Sequence, residues 1–134
     1  MKKLMMLFAA LALVLSASAA FAGFSTSPSS DKDVNIHFVN DTDEMRVVVL
    51  TVEFSQGTEK EEILVVPHSY LDAYYSQAMS ADFKFDVLIT DKGGEALSEA
   101  KLSFSKGKFT PEAIGEGITC EKTAPDRVVL TLKR

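Results

Sequence analysis

The sequence predicts an all-β protein: a single-domain, antiparallel β-sandwich of about seven strands. Three observations predict this fold class. Short segments alternate apolar and polar residues with a period of two, turn residues separate those segments, and long patterns of helical period are absent. A small closed β-barrel is the alternative that the same pattern allows.

The strongest strand signal is Arg46–Phe54, RVVVLTVEF. Val48, Leu50 and Val52 fall on one side of an extended strand together with Phe54, which makes that side wholly apolar. The other side becomes polar toward its end, and the four valines of the segment favour a pleated, packed surface over a helix. We therefore expect a central strand here, with the other segments paired to it or packed on it.

Six further segments complete the predicted strands. They cover residues 34–39, 63–66, 83–90, 96–104, 118–120 and 127–133. Ser105–Gly117 contains three glycines and a proline, and we predict a loop there that places Phe109 and Ile114 at one end of the core. Seven short strands in about a hundred residues are typical of an immunoglobulin-like sandwich, although the Cys…Trp…Cys arrangement of immunoglobulin domains is absent.

Residues 1–22 have the pattern of a cleavable export signal. A positive head of Lys2 and Lys3 precedes an apolar run, and small residues then favour cleavage after Ala22, with Ala19 as the alternative site. Serines interrupt the run before it reaches the roughly 20 apolar residues that span a bilayer. The short head is typical of bacteria, so we expect a periplasmic or secreted protein that does not span the membrane after cleavage.

After the signal, the sequence predicts a flexible leader at 23–32 and one sandwich domain at 33–134. The leader is small and polar. Cys120 is the only cysteine, so no internal disulfide is possible and the fold depends on packing. We expect Cys120 to face the core as a small apolar residue.

The charge balance restricts the class of partner. The chain has a formal net charge of −5, and removal of the two signal lysines makes it more acidic still. An acidic surface repels nucleic acid and anionic lipid, so we expect no nucleic-acid partner. A protein partner is expected instead, with a cation or small ligand as the other possibilities, and the oligomeric state stays open.

Metal-binding patterns are weak. His37 and His68 lie far apart and form no ligand pair, so we predict two solvated histidines. Asp41, Asp43 and Glu44 crowd one turn and are the weak candidates for a calcium site, against the simpler interpretation of a solvated turn. No metal and no cofactor is predicted.

Catalytic patterns are equally weak. The G-x-S-x-G motif is absent, and a chain of this size rarely builds a deep cleft, so we predict no enzyme, with a hydrolase as the alternative. The acidic residues Glu59, Glu61 and Glu62 are interpreted as the solvated start of a strand.

The segment His68–Ala81 is the candidate binding site because it holds all three tyrosines, Tyr70, Tyr74 and Tyr75, next to His68. Two conformations compete. A short helix would place the three rings on one face, whereas an extended strand would place Tyr70 and Tyr74 on one side and Tyr75 on the other. The rings either cap the core or present a contact surface.

These patterns together favour a small exported, non-enzymatic β-sandwich that binds or assists another macromolecule. A structural or assembly subunit of a surface or secretion complex is one alternative. A periplasmic metal-binding domain is the other.

Overall fold

The fold consists of β-strands alone within the residues that a computed structural model of the chain describes, which are 24–28 and 33–134. In those residues, ten strands form two five-stranded sheets that enclose one hydrophobic core. The predicted all-β sandwich is confirmed, and the barrel alternative is wrong because the strands divide into two separate sheets. The predicted signal and most of the predicted leader lie outside the described residues.

The strands in chain order are β1 (Phe24–Ser25), β2 (Asp33–Asn40), β3 (Arg46–Phe54), β4 (Gly57–Val65), β5 (Ser69–Ser76), β6 (Phe83–Thr90), β7 (Ala96–Ser105), β8 (Lys108–Ile114), β9 (Ile118–Ala124) and β10 (Arg127–Leu132). Sheet A has the order β1-β5-β2-β10-β9, and sheet B has the order β4-β3-β6-β7-β8. All neighbouring strands are antiparallel except β2 and β10, which run parallel.

The predicted central strand β3 lies inside sheet B, between β4 and β6. Val48, Leu50 and Val52 are fully buried, as the apolar side of the segment predicts, and Phe54 is partly buried against the same core. On the outward side of β3, the last residue, Glu53, is exposed. Alternation at a period of two therefore decides which side of β3 enters the core.

An aromatic group fills one end of the core. Phe83 and Phe85 of β6 stack with ring centroids 5.7 Å apart, and Tyr75 lies 5.6 Å from Phe85. Phe104 and Phe109 meet edge to face at 5.3 Å. These contacts join both sheets, because Tyr75 belongs to sheet A and the four phenylalanines belong to sheet B.

Two strands come from segments for which the sequence predicts no strand. Strand β1 lies in the predicted leader, and β8 lies in the predicted loop Ser105–Gly117. In β8 only Phe109 is buried, while Ile114 is 37% exposed, so this edge strand carries no alternation for a sequence pattern to detect.

The helix alternative for His68–Ala81 is wrong. Ser69–Ser76 is the strand β5, which pairs with β2 along its whole length. Ala73 and Tyr75 face the core, and Tyr70 faces outward. Pairing with β2 supplies backbone hydrogen bonds and burial that a lone short helix could not match.

The solvated interpretation of Glu59 and Glu61 is also wrong. In β4 they stand opposite Val52 and Leu50, two buried residues of β3, and therefore face the interior. Glu61 is only 2% exposed. Cys120 lies on the core side of β9, as predicted, but is only partly buried, and burial raises the pKa of its thiol.

No helix among the described residues is long and apolar enough to cross a membrane.

Candidate functional site

The outer face of sheet A carries a group of polar and aromatic side chains linked by hydrogen bonds and one ring contact. We call this group the His37 cluster. It comprises Asn35, His37, Tyr70, Asp72, Tyr74 and Arg127.

The alternation of side chains along β2 and β5 places the cluster on this face. Val34, Ile36 and Phe38 of β2 are fully buried, so Asn35 and His37 between them point outward. In the register of β2 with β5, His37 stands opposite Asp72, Asn35 opposite Tyr74 and Val39 opposite Tyr70. Residues directly opposite in an antiparallel pair share a face, so these side chains meet. Arg127 joins them from β10, opposite Asn35.

His37 and Asp72 form a close pair at the centre of the cluster. The distance from His37 Nδ1 to Asp72 Oδ1 is 2.7 Å, and the two side chains are 17% and 19% exposed. Because a carboxylate only accepts hydrogen bonds, Nδ1 donates to it. This fixes the orientation of the ring and leaves Nε2 for a ligand or solvent. The prediction of a solvated His37 is wrong.

Asn35 holds Asp72 in place from the neighbouring strand. Asn35 Nδ2 donates to Asp72 Oδ1 at 3.2 Å and to the backbone carbonyl of Ala73 at 3.1 Å. Arg127 Nε donates to Asn35 Oδ1 at 2.8 Å. The hydrogen bonds therefore run across three strands, from β10 through β2 to β5, and they pre-organise the Asp72 carboxylate and the His37 ring.

Tyr70 is the exposed part of the cluster. Its side chain is 64% exposed, and its ring lies 4.8 Å from the His37 ring, at an angle of 36°. An aromatic ring that is exposed and yet held against an oriented neighbour presents apolar area to solvent with little freedom left to lose on binding.

Tyr74 lies half-buried on the same face, opposite Asn35 on one side and Ser25 of β1 on the other. Burial raises the pKa of Tyr74; the carboxylates of Asp72 and Asp33 raise it further, and Arg127 opposes them. The phenol therefore remains neutral and able both to donate and to accept a hydrogen bond.

The remaining predicted binding residues lie elsewhere. Tyr75 is 1% exposed and packs on Phe83 and Phe85, so it is a core residue and cannot contact a partner in the folded chain. His68 precedes β5 in a left-handed backbone conformation with φ of 54°. Its ring is 60% exposed, with Nε2 2.6 Å from Asp43 Oδ1.

The three weak metal candidates do not converge on a common point. Asp41 lies 4.0 Å from Lys133 Nζ, Asp43 contacts His68, and Glu44 contacts Arg46 at 3.3 Å. Each carboxylate thus faces a different basic side chain. Across the described part of the chain, no group of three or more His, Cys, Asp or Glu side chains is arranged to hold a metal ion.

Sequence reasoning missed Asn35, Asp72 and Arg127 as members of the site. The one available signal was Asn35-x-His37, two polar residues on the outward side of a predicted strand. The pairing of β2 with β5 brings His37 next to Asp72, which lies 35 positions further along the chain. No local sequence pattern encodes that register.

The cluster offers a ligand a phenol ring, a second phenol, an imidazole nitrogen and a guanidinium on an open sheet face. No protein-family model matches the chain, and no curated protein matches it significantly. Function is therefore inferred from the geometry of the described residues.

Proposed function

We propose that the chain is a small exported, non-enzymatic β-sandwich that binds a protein partner through the outer face of sheet A, in the periplasm or outside the cell. One observation carries the proposal. The Tyr70 ring is 64% exposed and rests on His37, which Asp72 orients.

The composition of the cluster favours a protein as the partner. Tyrosine and arginine are enriched among the residues that carry most of the binding energy at protein interfaces. The acidic balance of the chain, with a formal net charge of −5, opposes nucleic acid. A flat sheet face with one projecting ring suits a folded or extended protein surface better than a small molecule, which needs a concave pocket.

Two hollows among the described residues lie away from the His37 cluster, which favours binding without chemistry. One depression of about 280 Å³ is lined by residues such as Phe54, Ser80 and Asp82, and another of about 240 Å³ by residues such as Thr51, Asp86 and Lys101. Neither includes a residue of the His37 cluster. An oriented His–Asp pair on an open face does not exclude water, which catalysis at such a pair normally requires.

Site-specific photo-crosslinking in the native exported protein tests the proposal. A photoreactive side chain at position 70 should yield a discrete adduct, and the adduct should weaken at least severalfold when Asp72→Ala frees His37. The matched control carries the same group at Lys101, which is exposed on the outer face of sheet B.

The masses of the recovered chains test export in the same experiment. We expect a processed chain that begins after Ala22. Equal adducts at positions 70 and 101 would contradict the binding surface, and an intact Met1 would contradict export.

An assembly subunit is the second candidate function. The observation that favours it is the outer edge of β5, which is only partly paired within the described residues and where a strand of another chain could add to sheet A.

A further inference from the structure

The outer edge of β5 is open over a short stretch. Strand β5 pairs with β2 from Ser69 to Ser76, but β1 covers its other side only at Tyr74 and Tyr75. In the described part of the chain, residues 69–73 therefore have a strand on one side and none on the other. Their outward N–H and C=O groups are available for pairing.

Three other sheet edges, those of β4, β8 and β9, carry features that resist pairing, and this stretch does not. Strand β4 has Glu59 and Glu61 facing inward, β8 contains Pro111 and pairs across a bulge, and β9 exposes Glu121 and Lys122. Inward charges, prolines, bulges and charged side chains are the devices that protect edge strands from pairing. The stretch 69–73, SYLDA, has no proline, lysine or bulge, and its one charge is turned onto His37 and Asn35.

Strand β1 and the described residues 26–28 that follow it do not fill this gap. Strand β1 runs antiparallel to β5, with Phe24 opposite Tyr75 and Ser25 opposite Tyr74. The antiparallel direction of β1 points its N-terminal side past Tyr75 to the end of β5, away from residues 69–73. Extending it forwards fails because residues 26–28 leave the strand.

We propose that a second copy of this chain occupies the open edge, with the two β5 strands antiparallel about a twofold axis at Leu71. This register pairs Ser69 with Ala73 of the second copy, Tyr70 with Asp72, and Leu71 with its own equivalent. An interface of this kind is isologous, since each residue meets the same partner from both sides.

The side chains complement each other in this register. Tyr70 and Asp72 share the outer face and would stand directly opposite each other across the interface, so the phenol of one copy, once its ring turns away from His37, donates to the carboxylate of the other. Asp72 Oδ1 already accepts from His37 and Asn35, which leaves Oδ2 for the phenol. A register shifted so that Asp72 meets Asp72 would oppose like charges. On the inner face the two Leu71 side chains, which pack against the core, meet each other.

The ends of the open stretch match the proposed length. At one end, Ser25 of β1 already pairs with Tyr74. At the other, the left-handed conformation of His68 turns the chain out of the strand. The strand of a second copy therefore ends at Ser69, just before it would collide with β1.

The consequence is a continuous sheet with two His37 clusters side by side. Three strand spacings of about 4.8 Å, together with a stagger of two residues along the strands, would separate the two His37 residues by roughly 16 Å. A contact of this length buries far less than a standard interface, so we expect a weak dimer with a Kd between about 10 µM and 1 mM.

Sedimentation velocity of the purified exported chain, from about 1 µM to about 1 mM, measures this directly. We expect a monomer at the low end and a dimer at the high end. Tyr70→Asp places a carboxylate opposite Asp72 and should weaken dimerisation at least tenfold. Ile114→Asp is the matched control, an exposed apolar residue on the edge strand β8, and should leave dimerisation unchanged.

A disulfide provides a second measurement that reports the register. With Leu71→Cys, the two Cα atoms would lie about 4.5 to 5.5 Å apart, inside the range that a disulfide bridges. Mild oxidation should crosslink this variant much faster than Ile114→Cys. Cys120 is common to both variants.

Circular dichroism first establishes that each variant is folded. A monomer at about 1 mM, or equal crosslinking of the two cysteine variants, would overturn the proposal. If the chain stays monomeric but amide exchange at residues 69–73 slows when a foreign protein is added, the occupant is a foreign strand and the second copy is wrong. Sedimentation and crosslinking use the purified chain alone, so they do not depend on the protein partner proposed above.

Discussion

Strands β4 and β5 lie on the same side of the sandwich and contact each other, yet they use their inward faces differently. Strand β4 turns Glu59 and Glu61 inward, whereas β5 turns Ala73 and Tyr75 inward. Acids in the interior protect the edge of β4 from pairing but oppose the stability of the fold. Strand β5 stabilises the core, and among residues 24–28 and 33–134 part of its outer edge has no paired strand. The two strands thus have different roles: β4 resists edge pairing, and β5 contributes packing to the core.

The inward side chains of the two strands also interact electrostatically. Burial raises the pKa of Tyr75 well above its ordinary value, and the nearby carboxylates of Glu61 and Glu59 add to this. Glu59 Oε2 and Glu61 Oε1 have no hydrogen-bond partner among the described residues. Burial, reinforced by Glu59, raises the pKa of Glu61 to about 7. The acids of β4 therefore face the tyrosine that anchors β5.

The largest effect should come from Tyr75. Tyr75→Ala removes a ring that packs on Phe83 at 6.0 Å and on Phe85 at 5.6 Å. Loss of a fully buried aromatic side chain costs about 3 to 5 kcal/mol. Thermal unfolding should show a midpoint lowered by more than about 10 °C.

Tyr70→Ala is the matched control on the same strand. Tyr70 is exposed and keeps one ring contact, with His37, so its loss should cost about 1 kcal/mol or less. Equal losses for the two variants would show that β5 does not separate a core side from a contact side.

The sequence predicts the strands whose two faces differ. In β6, Phe83, Phe85, Val87 and Ile89 alternate with Lys84 and other outward residues, and all four apolar residues are buried. Strands β2, β3 and β10 follow the same rule. The outward position of His37 and Asn35 is predictable from this alternation as well.

Other features depend on contacts that no local pattern carries. In β5 the apolar residues fit a period of two and a helical period almost equally well, and only pairing with β2 decides between them. The charged neighbours of Glu61 make its segment look like the solvated start of a strand. Asn40 resembles a turn residue but is fully buried, and its Nδ2 donates to the carbonyls of Glu44 and Val65 at 2.8 Å each.

The second-largest expected effect is a dependence of the unfolding free energy on pH, caused by Glu61. The folded chain holds the pKa of Glu61 near 7, above the ordinary value of 4.5, so the folded state prefers the protonated acid. Its unfavourable contribution is absent below about pH 4.5 and develops as the pH rises to about 7. Chemical denaturation should show the unfolding free energy falling over that window by about 1 to 3 kcal/mol.

Glu61→Gln removes the charge and keeps the shape. We expect it to stabilise the protein above pH 7 and to leave stability nearly unchanged below pH 4.5, with a residual slope from Glu59, whose pKa burial also raises. Glu62→Gln, on the outward side of β4, is the control and should keep the full slope. If both variants keep the same slope, Glu61 is not the source of the pH dependence.

The smallest effect belongs to His68, in the short connection between β4 and β5. Its φ of 54° is a conformation that most side chains avoid, and glycine adopts it readily. Its contact with Asp43 joins two exposed side chains in water and contributes little.

His68→Gly should therefore relieve backbone strain, lose the weak contact and add freedom to the unfolded chain. These terms nearly cancel, so we expect a change within about 0.5 kcal/mol. His68→Val keeps the strain and adds a branched Cβ that resists this conformation, and it should cost about 1 to 2 kcal/mol. Urea unfolding of the two variants checks the order, since a valine variant as stable as the glycine variant would mean that β5 does not begin at a strained turn.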